Sequence, residues 1–254
     1  MEADLKNALA GYLLGLADDE LLLGHRDSEW CGYAPILEED IAFANLALDE
    51  LGHASLWYRL VSELLGKDPE IYPDQLVFFR PPSEFRNIQM VELPNGDWAF
   101  SIARQYFFDS AELVRLKALA ESPAEPVAVI AAKIRKEEAY HHRHSQVWME
   151  RLGPGTDESH HRLQKAVNEL WPFTEQLFEI ELEAEELLVQ AGVIPTSQDL
   201  RRAWLDQVLS LLETCQIEFS WQDLKISRYE HTASLNVLLG EMQSVARLDP
   251  EAAW

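Results

Sequence analysis

Residues 46–64 read LALDELGHASLWYRLVSEL and residues 131–152 read AAKIRKEEAYHHRHSQVWMERL. In the first, Leu46, Glu50, His53, Trp57, Leu60 and Leu64 recur at alternating steps of four and three; in the second, Ala131, Ile134, Glu138, His141, Ser145, Trp148 and Leu152 do the same. That spacing sets each series on one face of an α-helix. Each apolar, inward face thus carries one glutamate and one histidine.

Two more segments supply partners. The series Leu9, Tyr12, Leu16, Glu20, Leu23 and the series Ile102, Tyr106, Asp109, Leu113, Leu116 each put one carboxylate on a buried stripe. Glu20 precedes Glu50 by 30 residues and Asp109 precedes Glu138 by 29, an internal duplication of a carboxylate helix followed by a Glu-x-x-His helix. Buried charges are unfavourable unless paired or bound to metal, so Glu20, Glu50, His53, Asp109, Glu138 and His141 converging in one core require a shared cation. Carboxylate and imidazole donors suit two iron or manganese ions. This is the pattern of the ferritin-like di-metal carboxylate proteins.

Neighbouring residues compete for these roles. Chance places roughly one Glu-x-x-His pair in a chain of this composition, and three occur; the third, Glu158 to His161, falls at a helix start beyond Gly155 and reads as a solvated acidic N-terminus. Asp49 and Glu137 each precede a ligand by one position, which turns them about 100° from the core, so they read as solvated groups or as groups behind the ligands. Glu112, one turn beyond Asp109, is an alternative to it. Of His141, His142 and His144 only the first fits the stripe. Tyr12, Tyr106, Trp57 and Trp148 read as packing.

The same periodicity predicts helices over about 3–24, 36–65, 98–121 and 126–152, closed by Gly66, by Pro123 and Pro126, and by Gly153-Pro154-Gly155. Residues 67–97 hold five prolines without helical period and read as the long crossover that a ferritin-type bundle needs. Three further helices are predicted near 159–191, 197–222 and 228–246, the first kinked at Pro172 and the second capped by Thr196. No strand-period segment occurs. The class is all-α: a ferritin-like four-helix bundle over about 3–152 with extra C-terminal helices over about 159–246, in a single domain spanning 1–254.

Composition narrows the partners. A formal charge of −23 repels nucleic-acid backbones and anionic membrane surfaces. A CoA thioester is also an anion, so its nucleotide end is expected on a more basic partner. Asp18, Asp19 and Glu20 interrupt the first leucine-rich segment, and nothing approaches the roughly 20 apolar residues of a membrane span. Cys31 and Cys215 have no metal or redox spacing and read as ordinary thiols of a reducing compartment. A soluble cytoplasmic protein is expected.

Several motifs narrow the reading further. Glu29-Trp30-Cys31-Gly32-Tyr33-Ala34-Pro35, the following EEDIAFANLALDELG, VELPNGDWAFSIARQYFFD at 91–109, ERLGPGTDES at 150–159 and LWPF at 170–173, with His231-Thr232 and Gly240-Glu241-Met242-Gln243 near the end, occur in one order. Together they resemble the C subunits of phenylacetyl-CoA 1,2-epoxidase complexes. The resemblance implies a ferritin-like subunit of aerobic phenylacetate degradation that pairs with a homologous di-iron catalytic A subunit. Further complex subunits and an NADPH-dependent reductase complete the complex, and phenylacetyl-CoA is bound mainly by the partner. Such C subunits are regarded as structural, with their metal ligands lost; DELGH at 49–53 and KEEAYH at 136–141 depart from that pattern. The alternative expectations are a di-iron oxygenase subunit in its own right and a ferritin-like iron-binding protein, though a storage cage is disfavoured by the extra C-terminal helices.

Overall fold

A computed structural model describes residues 2–219 and 226–250. Four long helices form the core: α1 (Ala3–Ser28), α2 (Leu37–Leu64), α3 (Trp98–Leu119) and α4 (Glu125–Leu152). α1 packs along α2 and α3 along α4, so the bundle consists of two helical hairpins that meet chiefly where α2 faces α4. No strand is present among the described residues, nor any helix long and apolar enough to cross a membrane. Both helices of the second hairpin start from local chemistry visible in the sequence. Asp97 caps α3 by accepting from Phe100 N, and Pro126 occupies the first turn of α4, where its missing N–H is not needed.

The crossover is more ordered than its prolines suggest. It contains short helical turns at Tyr72–Asp74, Gln75–Phe79, Pro82–Glu84 and Gln89–Glu92. Each is too short for a periodic signal, and buried side chains of α1 hold the segment in place. Asp18 accepts from Tyr58 Oη (2.5 Å), from the Arg86 backbone N (2.8 Å) and from the Arg80 guanidinium. Asp19 accepts from Ile88 N (2.7 Å) and from Arg228 Nη2 (2.6 Å), which ties the C-terminal region to the same helix.

The helix expected over 159–191 is two. α5 (Asp157–Leu170) ends in a 3₁₀ segment, Trp171–Phe178, and α6 (Leu182–Gln190) follows. Pro172 lacks the amide that would continue the α-helical ladder, so it breaks the helix here rather than kinking it. α7 (Ser197–Thr214) opens at Thr196 as expected, its hydroxyl accepting from Asp199 N at 3.1 Å. It stops eight residues before the predicted end at 222: Gln216 adopts φ 58° and Ile217 N bonds Leu212 O at 2.9 Å, a left-handed terminator formed without glycine. Residues 220–222 of that prediction lie outside the described residues. The last predicted helix starts later, as α8 (Ala233–Met242) capped by Thr232, and after Gln243 a short turn runs over Ser244–Leu248. α5 and α7 pack on α3, and α6 packs on α1.

Candidate metal centre

All six predicted residues are buried. Their ligand atoms form two overlapping groups: Glu20, Glu50, His53 and Glu138 in one, and Glu50, Asp109 and His141 in the other, with the ligand atoms of each group within 4.8 Å of one another. Glu50 belongs to both. Both histidines turn Nδ1 inward. His53 Nδ1 lies 3.5 Å from Glu20 Oε2, 3.8 Å from Glu50 Oε2 and 3.6 Å from Glu138 Oε1. His141 Nδ1 lies 3.0 Å from Glu138 Oε1 and 3.3 Å from Glu50 Oε1. Close helix approach makes this possible: a Cβ on Gly24 would stand 3.0 Å from Glu50 Cβ and 3.1 Å from Ala47 O, so any larger residue would press α1 and the Glu50 turn of α2 apart by a few tenths of an ångström.

The outward nitrogens of the imidazoles are held crosswise. His53 Nε2, on α2, meets Glu137 Oε2 of α4 at 2.9 Å, and His141 Nε2, on α4, meets Asp49 Oδ2 of α2 at 3.3 Å. A carboxylate on the outer ring nitrogen fixes the tautomer and aims the inner nitrogen as a ligand. Asp49 and Glu137 are therefore half-exposed carboxylates behind the ligands, as their positions one residue before each ligand allowed.

Electrostatics in the cluster follow from burial. Burial and the charge of Glu50 push the Glu20 carboxyl well above the usual range. Burial also raises Asp109 and Glu138, with neighbouring carboxylates adding to the effect. Glu50 is the exception: burial opposes its ionisation, but the adjoining Glu20 carboxyl and the His141 and His53 imidazoles hold it low. The imidazoles of His53 and His141 are raised, because the surrounding carboxylates outweigh burial. Five atoms of the cluster have no hydrogen-bond partner: both Glu20 carboxylate oxygens, Glu50 Oε2, Glu138 Oε2 and His53 Nδ1. Orphaned buried acceptors facing one another are what a bound cation would satisfy. The donor set fits a hard-to-intermediate divalent ion.

The other candidates lie elsewhere. Glu112 pairs with Arg115 and belongs to neither group. His142 stacks near Tyr106 at 5.5 Å between ring centroids, and His144 bonds Glu39 at 2.7 Å. Glu158 pairs with Arg162 on an exposed helix start. Trp57 is fully buried, and Trp148 packs edge-on against Trp98. Sequence reasoning missed Gln105, whose Nε2 donates to Asp109 Oδ1 (2.8 Å) and Glu50 Oε1 (3.2 Å), although it lies one helical turn before Asp109. Ser145, one turn beyond His141, stood on the inward series without an assigned role; its hydroxyl donates to Asp109 Oδ2 at 2.8 Å. Sequence reasoning also passed over Asp27, the next step on the α1 stripe, which burial pushes well above the usual carboxylate range.

The motif residues outside the centre have structural work. Trp30 Nε1 donates to Ser101 Oγ at 3.0 Å, and its ring packs edge-on against Trp98. Arg26 reaches Glu92 O at 2.5 Å, and Asn95 Nδ2 reaches Arg26 O at 2.6 Å. These contacts fasten the start of α3 to the end of α1.

Comparison with known proteins agrees with this architecture. A solved protein with aldehyde deformylating oxidase activity from Synechococcus matches with a TM-score of 0.55 at 15% identity, covering 94% of this chain and 98% of that one, and shares the ferritin-like fold. The chain is 39% identical over 251 residues to the C subunit of 1,2-phenylacetyl-CoA epoxidase of Escherichia coli K12, covering 98% of this chain and 100% of that protein. The A subunit of the same epoxidase is 26% identical over 145 residues, 57% of this chain and 45% of that one. The model of the family described as "Phenylacetic acid catabolic protein" matches residues 1–254. From end to end, then, this chain belongs to the phenylacetic acid catabolic protein family.

Proposed function

We propose that this chain is the C-type subunit of a phenylacetyl-CoA 1,2-epoxidase, a single-domain partner that supports a homologous A-type catalytic subunit. The observation that carries the reading is the full-length 39% identity to an epoxidase C subunit. The weaker relation to the A subunit is what two homologous bundles in one complex would retain. A further support lies on α2, where Leu37, Ile41, Leu48 and Leu51 are exposed on one face, next to exposed Tyr33 and Ile36. Apolar strips of this kind on soluble chains mark protein interfaces, and the A-type subunit is the occupant the reading assigns. Co-expression with the cognate A-type chain, affinity capture of one chain and mass analysis of the eluate test it. A stable mixed complex that turns over phenylacetyl-CoA is expected; two soluble chains that elute apart would overturn the assignment.

The second reading concerns the centre, and the orphaned acceptors favour it. Glu20, Glu50, His53 and Glu138 would hold one divalent cation, iron being the family-appropriate choice, and Glu50, Asp109 and His141 would flank a second position. A bound di-iron unit supplies oxygen activation to monooxygenases of this architecture. The chain's own part is to aim His53 and His141 through Glu137 and Asp49, to exclude water from a fully buried site and to surrender the protons that Glu20, Asp109 and Glu138 hold. Elemental analysis of protein from iron-supplemented cells tests this, with metal content near zero as the contrary result.

A further inference from the structure

The two halves of the centre differ in how their atoms are already engaged. In the group of Glu50, Asp109 and His141, Gln105 Nε2 donates to Glu50 Oε1 and Asp109 Oδ1, Ser145 Oγ donates to Asp109 Oδ2, and His141 Nδ1 is bonded to Glu138 Oε1. Both Asp109 oxygens, His141 Nδ1 and Glu50 Oε1 thus have partners. Of the five unpartnered ligand atoms named above, four (both Glu20 oxygens, Glu138 Oε2 and His53 Nδ1) belong only to the group of Glu20, Glu50, His53 and Glu138, and the fifth, Glu50 Oε2, lies on the residue that both groups share.

We infer that the centre is built for unequal loading: one cation binds tightly among Glu20, Glu50, His53 and Glu138, while the Gln105 amide occupies the second position and must be displaced before a second cation enters. This inference rests on the cation-site reading of the same cluster. The physical argument is one of place and charge. An amide nitrogen 2.8 Å and 3.2 Å from two carboxylates stands where a bridging cation would contact both, at about 2.0–2.3 Å. The two cannot be there together. The amide orientation is set by its neighbours, because the reverse would bring its carbonyl oxygen against two carboxylates. Gln105 is fully buried, so it has no solvent-facing rotamer to which it can retreat freely. Displacing the amide breaks two hydrogen bonds, one to Asp109 and one to Glu50, while Ser145 keeps its bond to Asp109. A neutral donor thereby replaces a divalent charge at one of two related positions.

The test is a metal titration of the full chain after chelator stripping, using Mn²⁺ alone and read by calorimetry and by electron paramagnetic resonance. The wild type is expected to take up one equivalent with the six-line signal of an isolated ion, and a second at least tenfold more weakly. Gln105→Met, close in shape and without donors, is expected to narrow that gap to less than threefold, with loss of the isolated-ion signal at two equivalents. Gln105→Glu, which adds a carboxylate, is expected to do the same and stands in should the methionine variant not fold. Two equivalents of equal affinity in the wild type, or an unchanged gap in a folded variant, would overturn unequal loading while leaving the cation site standing. No uptake at all would instead overturn the cation site itself.

Discussion

Three successive acids on α1, Asp18, Asp19 and Glu20, are all buried, yet they meet opposite fates. Rotated by about 100° from one another, they face the crossover, the C-terminal region and the bundle centre. Asp18 has Arg80 and Asp19 has Arg228, each in a buried ion pair completed by backbone amides. Glu20 has no arginine or lysine and no hydrogen bond on either oxygen, its nearest basic group being His53 Nδ1 at 3.5 Å. The first two acids are neutralised by the chain and serve the fold. The third is the acid that a bound cation would satisfy on the proposed reading of the centre.

The largest effect should come from the residue shared by both groups. Glu50→Ala removes a ligand from each, and metal content after iron supplementation is expected to fall at least a hundredfold by elemental analysis, with the fold kept by circular dichroism. Next in size is the structural pair. Arg228→Met strands the Asp19 carboxylate, and a loss of about 3–5 kcal/mol in denaturant unfolding is expected, with metal uptake unchanged in the folded fraction. If Arg228→Met instead emptied the centre, the division between fold acids and site acids would fail.

Smaller again is the outer ring. Glu137→Gln or Asp49→Asn leaves the inner donors in place but loosens the aim of one imidazole, and a weakening of metal affinity by about 10–100-fold is expected in competition with a chelating dye. The smallest effect concerns Glu20 without metal. Its raised pKa means that the folded chain holds that proton more tightly than the unfolded chain. The stabilisation is complete below the ordinary glutamate range and is lost as pH rises toward the folded value. Metal-free protein should therefore lose stability as pH rises above the ordinary glutamate range, and Glu20→Gln should flatten that slope in denaturant unfolding followed across pH. A wild-type profile that climbs with pH would reverse the assignment of Glu20 as the acid without a partner.

The bundle and the six inward residues were legible because three-and-four spacing over long helices leaves few faces for a side chain. Glu20, Glu50, His53, Asp109, Glu138 and His141 all fall on such stripes. Asp18 and Asp19 looked only like interruptions of an apolar run, since nothing in the sequence links them to Arg80 and Arg228, which lie 62 and 209 residues away. The end of α7 was hidden for another reason: Gln216 takes a left-handed conformation that glycine usually marks. Gln105 carried a signal, four residues before Asp109, but an amide on a helix is usually a surface residue, and one of its two partner oxygens, on Glu50, belongs to the other hairpin.

The crossed contacts behind the histidines have a mechanical consequence. Asp49 is neighbour to Glu50 and grips the imidazole of α4, while Glu137 is neighbour to Glu138 and grips the imidazole of α2. The two helices are thereby pinned at a pair of antisymmetric points, and a slip of one past the other by a single residue, about 1.5 Å, must stretch one link or both. The same two links that aim the imidazoles therefore also lock the register of α2 against α4.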